Sequence, residues 1–212
     1  SVILMRVKRN SPSHATNTAT RMESYDPSDS LSRGTWTDGV YYNATAGFNF
    51  TPPENWLLAD DEYIAQLVGV SKEMLGTEGE DLSDHEVVYD TFVQNPDNGT
   101  NVFIIYQKVS MLGALGIGIG DIMDEIVKQM GENTAMNCTY VGTTEQTLGS
   151  TDYQCAEFDV DISGITIKQY ILVNKFMNYT TNITITAMAS EPIEEFLPMF
   201  TSAQTAMADC CG

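Results

Sequence analysis

Gly39-Val40-Tyr41-Tyr42-Asn43-Ala44-Thr45-Ala46-Gly47-Phe48-Asn49-Phe50-Thr51-Pro52-Pro53-Glu54-Asn55-Trp56 is the stretch that decides the fold. It reads as a short strand, a turn at Gly47, and a second short strand with Phe48 and Phe50 on one face. The paired prolines then stop the strand ahead of a tryptophan. A hairpin of this kind opens a mixed domain of helices and strands, and the segments that follow supply both.

Directly after it, Asp60, Asp61 and Glu62 precede an apolar run ending at Gly69. Carboxylates in that position cap and favour the positive end of a helix, and glycine closes it. The runs 86–94 and 101–109 are rich in Val, Ile, Phe and Tyr, and Asn98-Gly99 between them supplies the backbone of a tight hairpin. The best periodic segment is Ile119, Ile122, Met123, Ile126, Val127 and Met130, with Asp121, Asp124, Glu125, Lys128 and Gln129 on the other side; it predicts a helix lying on a sheet. From 137 to 188 the period changes to two. Ala156, Phe158, Val160 and Ile162 mark one strand, Ile165, Ile167, Ile171 and Val173 the next, and Ile183, Ile185 and Ala187 the last. With turns at Leu148-Gly149-Ser150 and Ser163-Gly164, these runs predict an antiparallel meander. Ile193, Phe196, Leu197, Phe200 and Ala203 predict a closing helix, with Pro192 in its first turn and Pro198 bending it.

The chain has 212 residues, enough for one domain over 34–212 behind an N-terminal linker or tether over 1–33, with room there for partial order. The tether reading rests on its Ser/Thr/Asn/Pro-rich composition. Its first five residues suit the trimmed end of a hydrophobic signal or anchor, or a simple boundary, and so give an expectation of export. No run approaches the ~18 apolar residues of a membrane helix, so any membrane attachment is expected through an N-terminal anchor outside the folded domain.

Charge is the unusual quantity. The chain carries 29 acidic and 10 basic residues for a net charge of −19, and half of the basic ones (Arg6, Lys8, Arg9, Arg21, Arg33) precede Gly34. Such a surface repels nucleic acid and anionic headgroups, while cations, cationic peptides and uncharged glycans remain compatible. The partner expected is an unknown protein, peptide or glycan, while the plainer reading of the acid excess itself is the solubility of a secreted chain.

Chemistry-bearing patterns are sparse. Two histidines, His14 and His85, do not make a multi-histidine metal site, and there is no Gly-x-Ser-x-Gly elbow, His-Glu-x-x-His or Cys-x-x-Cys. Gly113, Gly116, Gly118 and Gly120 fit neither the dinucleotide fingerprint nor the phosphate loop and read as a strand-to-helix connection. Two acidic groups have oxygens compatible with a weak calcium site: Asp60, Asp61 and Glu62, and the loop Glu78, Glu80, Asp81 and Asp84. The second lacks the alternating ligands, glycine and terminal glutamate of an EF-hand, so a solvated loop is the plainer reading. Neither catalytic residues nor a cofactor is expected. The four cysteines Cys138, Cys155, Cys210 and Cys211 allow three pairings or free thiols. Sequons at Asn43, Asn49, Asn98, Asn137, Asn178 and Asn182 are compatible with glycosylation and with chance.

With the element order in hand, the stretch Tyr42-Asn43 through Gly47-Phe48-Asn49-Phe50 to Pro53 and Trp56 resembles the "Y-x-N-x-x-x-G-F-x-F-x-x-P-x-G-W" opening of the PsbP/Mog-like superfamily. The likeness is to uncharacterised exported proteins and lipoproteins of Gram-positive gut bacteria in particular, with Asn55 where the pattern has glycine. The resemblance implies an α+β fold, an α/β/α sandwich around a central antiparallel sheet, and a role as a binding or assembly factor without a catalytic set. Hence the expected function is a non-enzymatic extracytoplasmic binding or assembly domain, envelope-associated or secreted. The alternative is a carboxylate-based hydrolase or calcium-dependent module. The expected partner surface is one face of the meander carrying Lys168, Tyr170, Thr184 and Thr186.

Overall fold

A computed structural model describes residues 31–43, 46–77, 79–109, 118–133, 137–176 and 178–203. The opening hairpin forms as expected, from β2 (Val40–Asn43) and β3 (Phe48–Phe50). Gly47 leaves the turn with φ of 74°, a backbone region that glycine enters without strain. β1 (Thr35–Thr37) pairs with β2, and a late strand, β11 (Phe200–Ser202), pairs with β3, giving a four-stranded sheet in the order β1-β2-β3-β11. Phe48 and Phe50 share its buried face with Phe200, at ring-centroid distances of 5.4 and 4.8 Å.

The second sheet has seven described strands in the order β4-β5-β6-β10-β9-β8-β7, each pair antiparallel. They are β4 (Leu57–Leu58), β5 (Val87–Gln94), β6 (Asn101–Lys108), β7 (Asn137–Leu148), β8 (Thr151–Ile162), β9 (Ile165–Phe176) and β10 (Tyr179–Met188). β7 to β10 are the expected meander. Ser163 and Gly164, with φ of 57° and 84°, make the two-residue turn whose twist suits a hairpin. Between β5 and β6 only Gly99 of the Asn98-Gly99 pair takes a positive φ, and the turn is wider, closed by Asn95 N donating to Thr100 O at 2.7 Å.

Alternation puts two different surfaces on this sheet. Tyr106, Ile104, Leu172, Tyr170, Ile183 and Ile185 face the small sheet in the main core. Phe92 and Phe103 face helix α1 (Asp61–Val68), while Ala156, Phe158, Val160, Ile171 and Val173 face helix α2 (Ile119–Glu132) through Met123, Ile126 and Met130. The periodicity expected for α2 is therefore observed. At the start of α1, Asp60 accepts from Tyr63 N at 2.8 Å, and Gly69 closes it at φ of 73°. A cap of this kind stabilises a helix by about 1 kcal/mol. No helix among the described residues is long and apolar enough to cross a membrane.

The fold is thus α+β and dominated by sheet. The closing helix is a correction: the segment makes two short 3-10 turns, Ile193–Glu195 and Leu197–Met199, and then enters β11. Pro198 has no amide hydrogen and disfavours the helical conformation of the residue before it, while Phe200 gains a strand partner in Phe50. The apolar spacing of Ile193, Phe196 and Phe200 still serves burial. Leu31 is also in this core, and its carbonyl accepts from Leu82 N at 2.7 Å. The glycine-rich residues 113–117, together with Cys210 and Cys211, lie outside the described residues.

Candidate functional site

Side chains from three strands form a row on the helix-bearing face of the large sheet. Thr186 of β10 is in register with Asn101 of β6 on one side and with Gln169 of β9 on the other. Asn101 and Gln169 are buried, and Asn101 Oδ1 and Gln169 Oε1 have no hydrogen-bond partner. A buried acceptor left without a donor costs about 1–3 kcal/mol, so two in one row call for an explanation. Asn101 Nδ2 donates to Gly99 O at 2.9 Å, which fixes which end of the amide stays open.

Asn101 and Thr186 line a groove with a cavity volume of about 220 Å3. Its walls are Tyr63 and Leu67 of α1, Phe92 of β5, Ile162 and Ile167 of the β8–β9 hairpin, and Met188 at the end of β10. The Tyr63 and Phe92 rings lie 5.6 Å apart, and Tyr63 is exposed. Beside the groove, Glu191 organises the β5–β6 turn through two of the lining residues, Asn98 and Thr100. Its carboxylate accepts from Asn98 Nδ2 at 3.0 Å, Thr100 Oγ1 at 2.6 Å and Met188 N at 2.8 Å. No lysine, arginine or histidine is among the described lining residues.

A second polar centre lies on the opposite face. β5 bulges between Tyr89 and Thr91, and the extra residue, Asp90, turns inward. Asp90 Oδ1 accepts from Gly34 N at 2.9 Å, and Oδ2 accepts from Tyr41 Oη and from Asn43 Nδ2, the latter at 3.3 Å. Arg33 Nη2 bonds both Asp61 Oδ1 and the Asp90 carbonyl at 2.8 Å, with Nε 3.9 Å from Asp90 Oδ1. Burial raises the Asp90 carboxyl above its ordinary value, against the lowering pull of Tyr41, the Gly34 amide and Arg33. Tyr41 is pushed well up by burial and then by Asp90. A hollow of about 230 Å3 opens beside this network, bounded by Arg33, Trp36, Asp61 and Asp90. Because every Asp90 oxygen is engaged by the chain itself, this centre ties β2 and the Arg33 segment to the large sheet.

The expected cation ligands are mostly occupied locally. Asp60 caps α1, Asp61 pairs with Arg33, and Glu62 accepts from Gln66 Nε2 at 3.3 Å. Glu80 accepts from Thr77 N and Oγ1, Asp81 from Ser83 N, and Asp84 is exposed. Glu78 lies outside the described residues. Among the described residues no three acidic, histidine or cysteine side chains gather as a metal site.

The expected partner surface needs correcting. Tyr170 pairs with Ile185 and faces the small sheet, whereas Thr184 and Thr186 point to the helix-bearing face. Lys168 shares the Tyr170 side, so the four residues divide between two surfaces. Tyr170 is 2% exposed and its hydroxyl donates to Glu191 O at 3.1 Å. Burial raises that hydroxyl to about 12. Lys168 is held by Glu157 and, at 3.2 Å, by Asp159, and its Glu157 hydrogen bond raises its pKa. Of the four, Thr186 reaches the groove. Sequence reading missed Asp90, Asn101 and Gln169; the signal was a polar side chain inside, or at the start of, a β-rich run.

No protein-family model and no curated protein matches the chain. Among solved structures it is similar to cyanobacterial PsbP (CyanoP) from Synechocystis sp. PCC 6803, with a TM-score of 0.49 and 11% identity over 85% of this chain and 98% of that one. A crystal structure from Bacteroides thetaiotaomicron VPI-5482 is similar with a TM-score of 0.40 and 12% identity over 81% of this chain; the chain spans 48% of its length.

Proposed function

We propose that the chain is a PsbP/Mog-like binding or assembly domain, non-enzymatic, acting outside the cytoplasm and tied to the cell envelope through residues 1–33. The opening motif and the α+β element order support the family, and the family resemblance supports the compartment, that of an exported protein or lipoprotein of Gram-positive bacteria. One observation carries the binding role: a groove of about 220 Å3 with an apolar wall and with Gln94, Thr100, Asn101 and Thr186 among its polar lining residues. A concavity with a largely apolar wall and a few polar groups is the usual form of a ligand site.

The test uses the full chain on peptide and glycan arrays, with Thr186→Trp as the variant that fills the groove. Capture of a defined peptide or glycan that Thr186→Trp abolishes, with an unchanged near-ultraviolet circular dichroism spectrum, is the expected result. Equal capture by both chains sinks the groove as the binding site. Protease shaving of intact host cells tests the compartment, and a chain protected until lysis overturns it.

A further inference from the structure

We propose that Asn98 is a self-modification site, a centre of intramolecular deamidation that Glu191 holds back, and that its product releases the clamp on the β5–β6 turn. Asn98 is the only asparagine of the chain that glycine follows, and it stands exposed in that turn. The reaction needs no enzyme. The Gly99 nitrogen attacks the Asn98 side-chain carbonyl carbon, the bond to Nδ2 breaks, and ammonia leaves with the proton that Gly99 N gives up. A five-membered imide remains. Water then opens it to aspartate, or to isoaspartate with the chain rerouted through the side-chain carbon. Glycine favours the attack, because it has no Cβ to shield its nitrogen and its backbone adapts readily to the closing ring.

In the folded chain the groups that this reaction must move are engaged. Asn98 Oδ1 accepts from Thr100 N at 2.9 Å and Nδ2 donates to Glu191 Oε1 at 3.0 Å, so the amide is held at both ends. The nucleophile is held as well: Gly99 N donates to Asn95 O at 3.0 Å, and Gly99 O accepts from Asn101 Nδ2 at 2.9 Å. Glu191 bonds Asn98 Nδ2, Thr100 Oγ1 and Met188 N, not Gly99 N, so it restrains the leaving group and does not serve the nucleophile as a base. Its charge makes that restraint one of the stronger kind. The same geometry gives the product a definite effect. With aspartate at position 98, an acceptor oxygen takes the place of Nδ2 opposite Glu191 Oε1, and two carboxylates at hydrogen-bond distance repel. Isoaspartate adds a carbon to the backbone of the turn. Asn98, Gly99 and Thr100 all line the groove, so release of the turn reshapes its wall.

The experiment incubates the full chain, Glu191→Ala and Glu191→Gln in warm, mildly alkaline buffer beside a synthetic peptide of the turn sequence. Peptide mapping follows the amide-to-acid mass change at Asn98, and fragmentation separates aspartate from isoaspartate. The full chain is expected to react at least about tenfold more slowly than the peptide, and Glu191→Ala about tenfold faster than the full chain. Glu191→Gln keeps a neutral acceptor and should fall between them; it decides the matter alone if the alanine variant does not fold. Amide exchange at Ile104 and Ile183, in the core strands, should be the same in wild type and variants. An acceleration matched by faster exchange there is general unfolding and overturns the local clamp. Full-chain reaction at the peptide's rate, another asparagine reacting ahead of Asn98, or variants no faster than wild type overturns the proposal. Asn98→Asp makes the product directly and is expected to speed amide exchange at Gly99 and Thr100 at neutral pH. Unchanged exchange in that variant overturns the release of the turn.

Discussion

The hydroxyls of Tyr41 and Tyr106 meet 3.0 Å apart in the core, one from the small sheet and the other from the large one. Because Tyr41 gives its proton to Asp90, Tyr106 is the donor between the two rings. The three groups form a chain of bonds joining β2, β5 and β6, and each link depends on the next. Tyr41→Phe removes both bonds and leaves the Asp90 carboxyl short of a donor, a loss of about 2–3 kcal/mol. Tyr106→Phe removes only the outer bond, about 1 kcal/mol. Urea denaturation of both variants checks the order, and equal losses would show that Asp90 does not rely on Tyr41.

Asp90 predicts a pH dependence with a definite sign. Its carboxyl is raised by burial in the folded chain. Between the ordinary carboxyl value of about 4 and the raised one, the folded state therefore holds a proton that the unfolded state has released. The stability this contributes is complete below the ordinary value and is lost as pH rises through the folded one. Asp90→Asn cannot titrate. The stability of the wild-type chain relative to this variant should fall as pH is raised from about 4 towards neutrality, read from urea midpoints across that range. A difference that stays flat or grows contradicts the assignment.

Gly149 stands where the β7–β8 turn touches β11. Its φ is 62°, and a Cβ added there would lie 2.9 Å from Thr201 O and 3.0 Å from Ser202 N. Gly149→Ala is expected to lower stability by on the order of 1–3 kcal/mol, with faster amide exchange in β11. Gly142 is the control, since a Cβ there meets nothing within 4 Å and its φ is not in the positive region. Gly142→Ala should leave the melting temperature near that of the wild-type chain; two variants with the same melting temperature would refute the close contact.

The two described cysteines are free and lie on opposite faces of β7 and β8. Cys138 packs towards α2, and Cys155 lies in the main core. Their register partners are Val160 and Thr144, so no bridge joins them. Burial pushes the Cys155 thiol up to about 12, followed by the nearby carboxylates of Glu157 and Glu194. Under native iodoacetamide labelling at mildly alkaline pH, Cys138 should alkylate well before Cys155, because the thiolate is the reactive form. Peptide mass mapping separates them, and a Cys138–Cys155 disulfide peptide would contradict the register.

What the sequence determined by itself was local. The i, i+3, i+4 spacing of α2, the Asp60 cap of α1, the Ser163-Gly164 turn and the period-two meander are properties of neighbouring residues, and each is present as read. Pro198 carried the warning against a closing helix, but the strand it makes way for depends on Phe50, 150 positions earlier. Which face each residue of the meander occupies was decided only in three dimensions. Helices cover one side of the large sheet and the small sheet covers the other, so apolar residues alternate onto two cores and parity alone does not say which. The Ile row of β9 therefore faces α2 while that of β10 faces the small sheet, and Tyr170 and Thr186 part company. The Asp90 network and the Asn101–Thr186–Gln169 row are likewise nonlocal. Strand register brings distant polar side chains into one line, and no window of sequence contains that line.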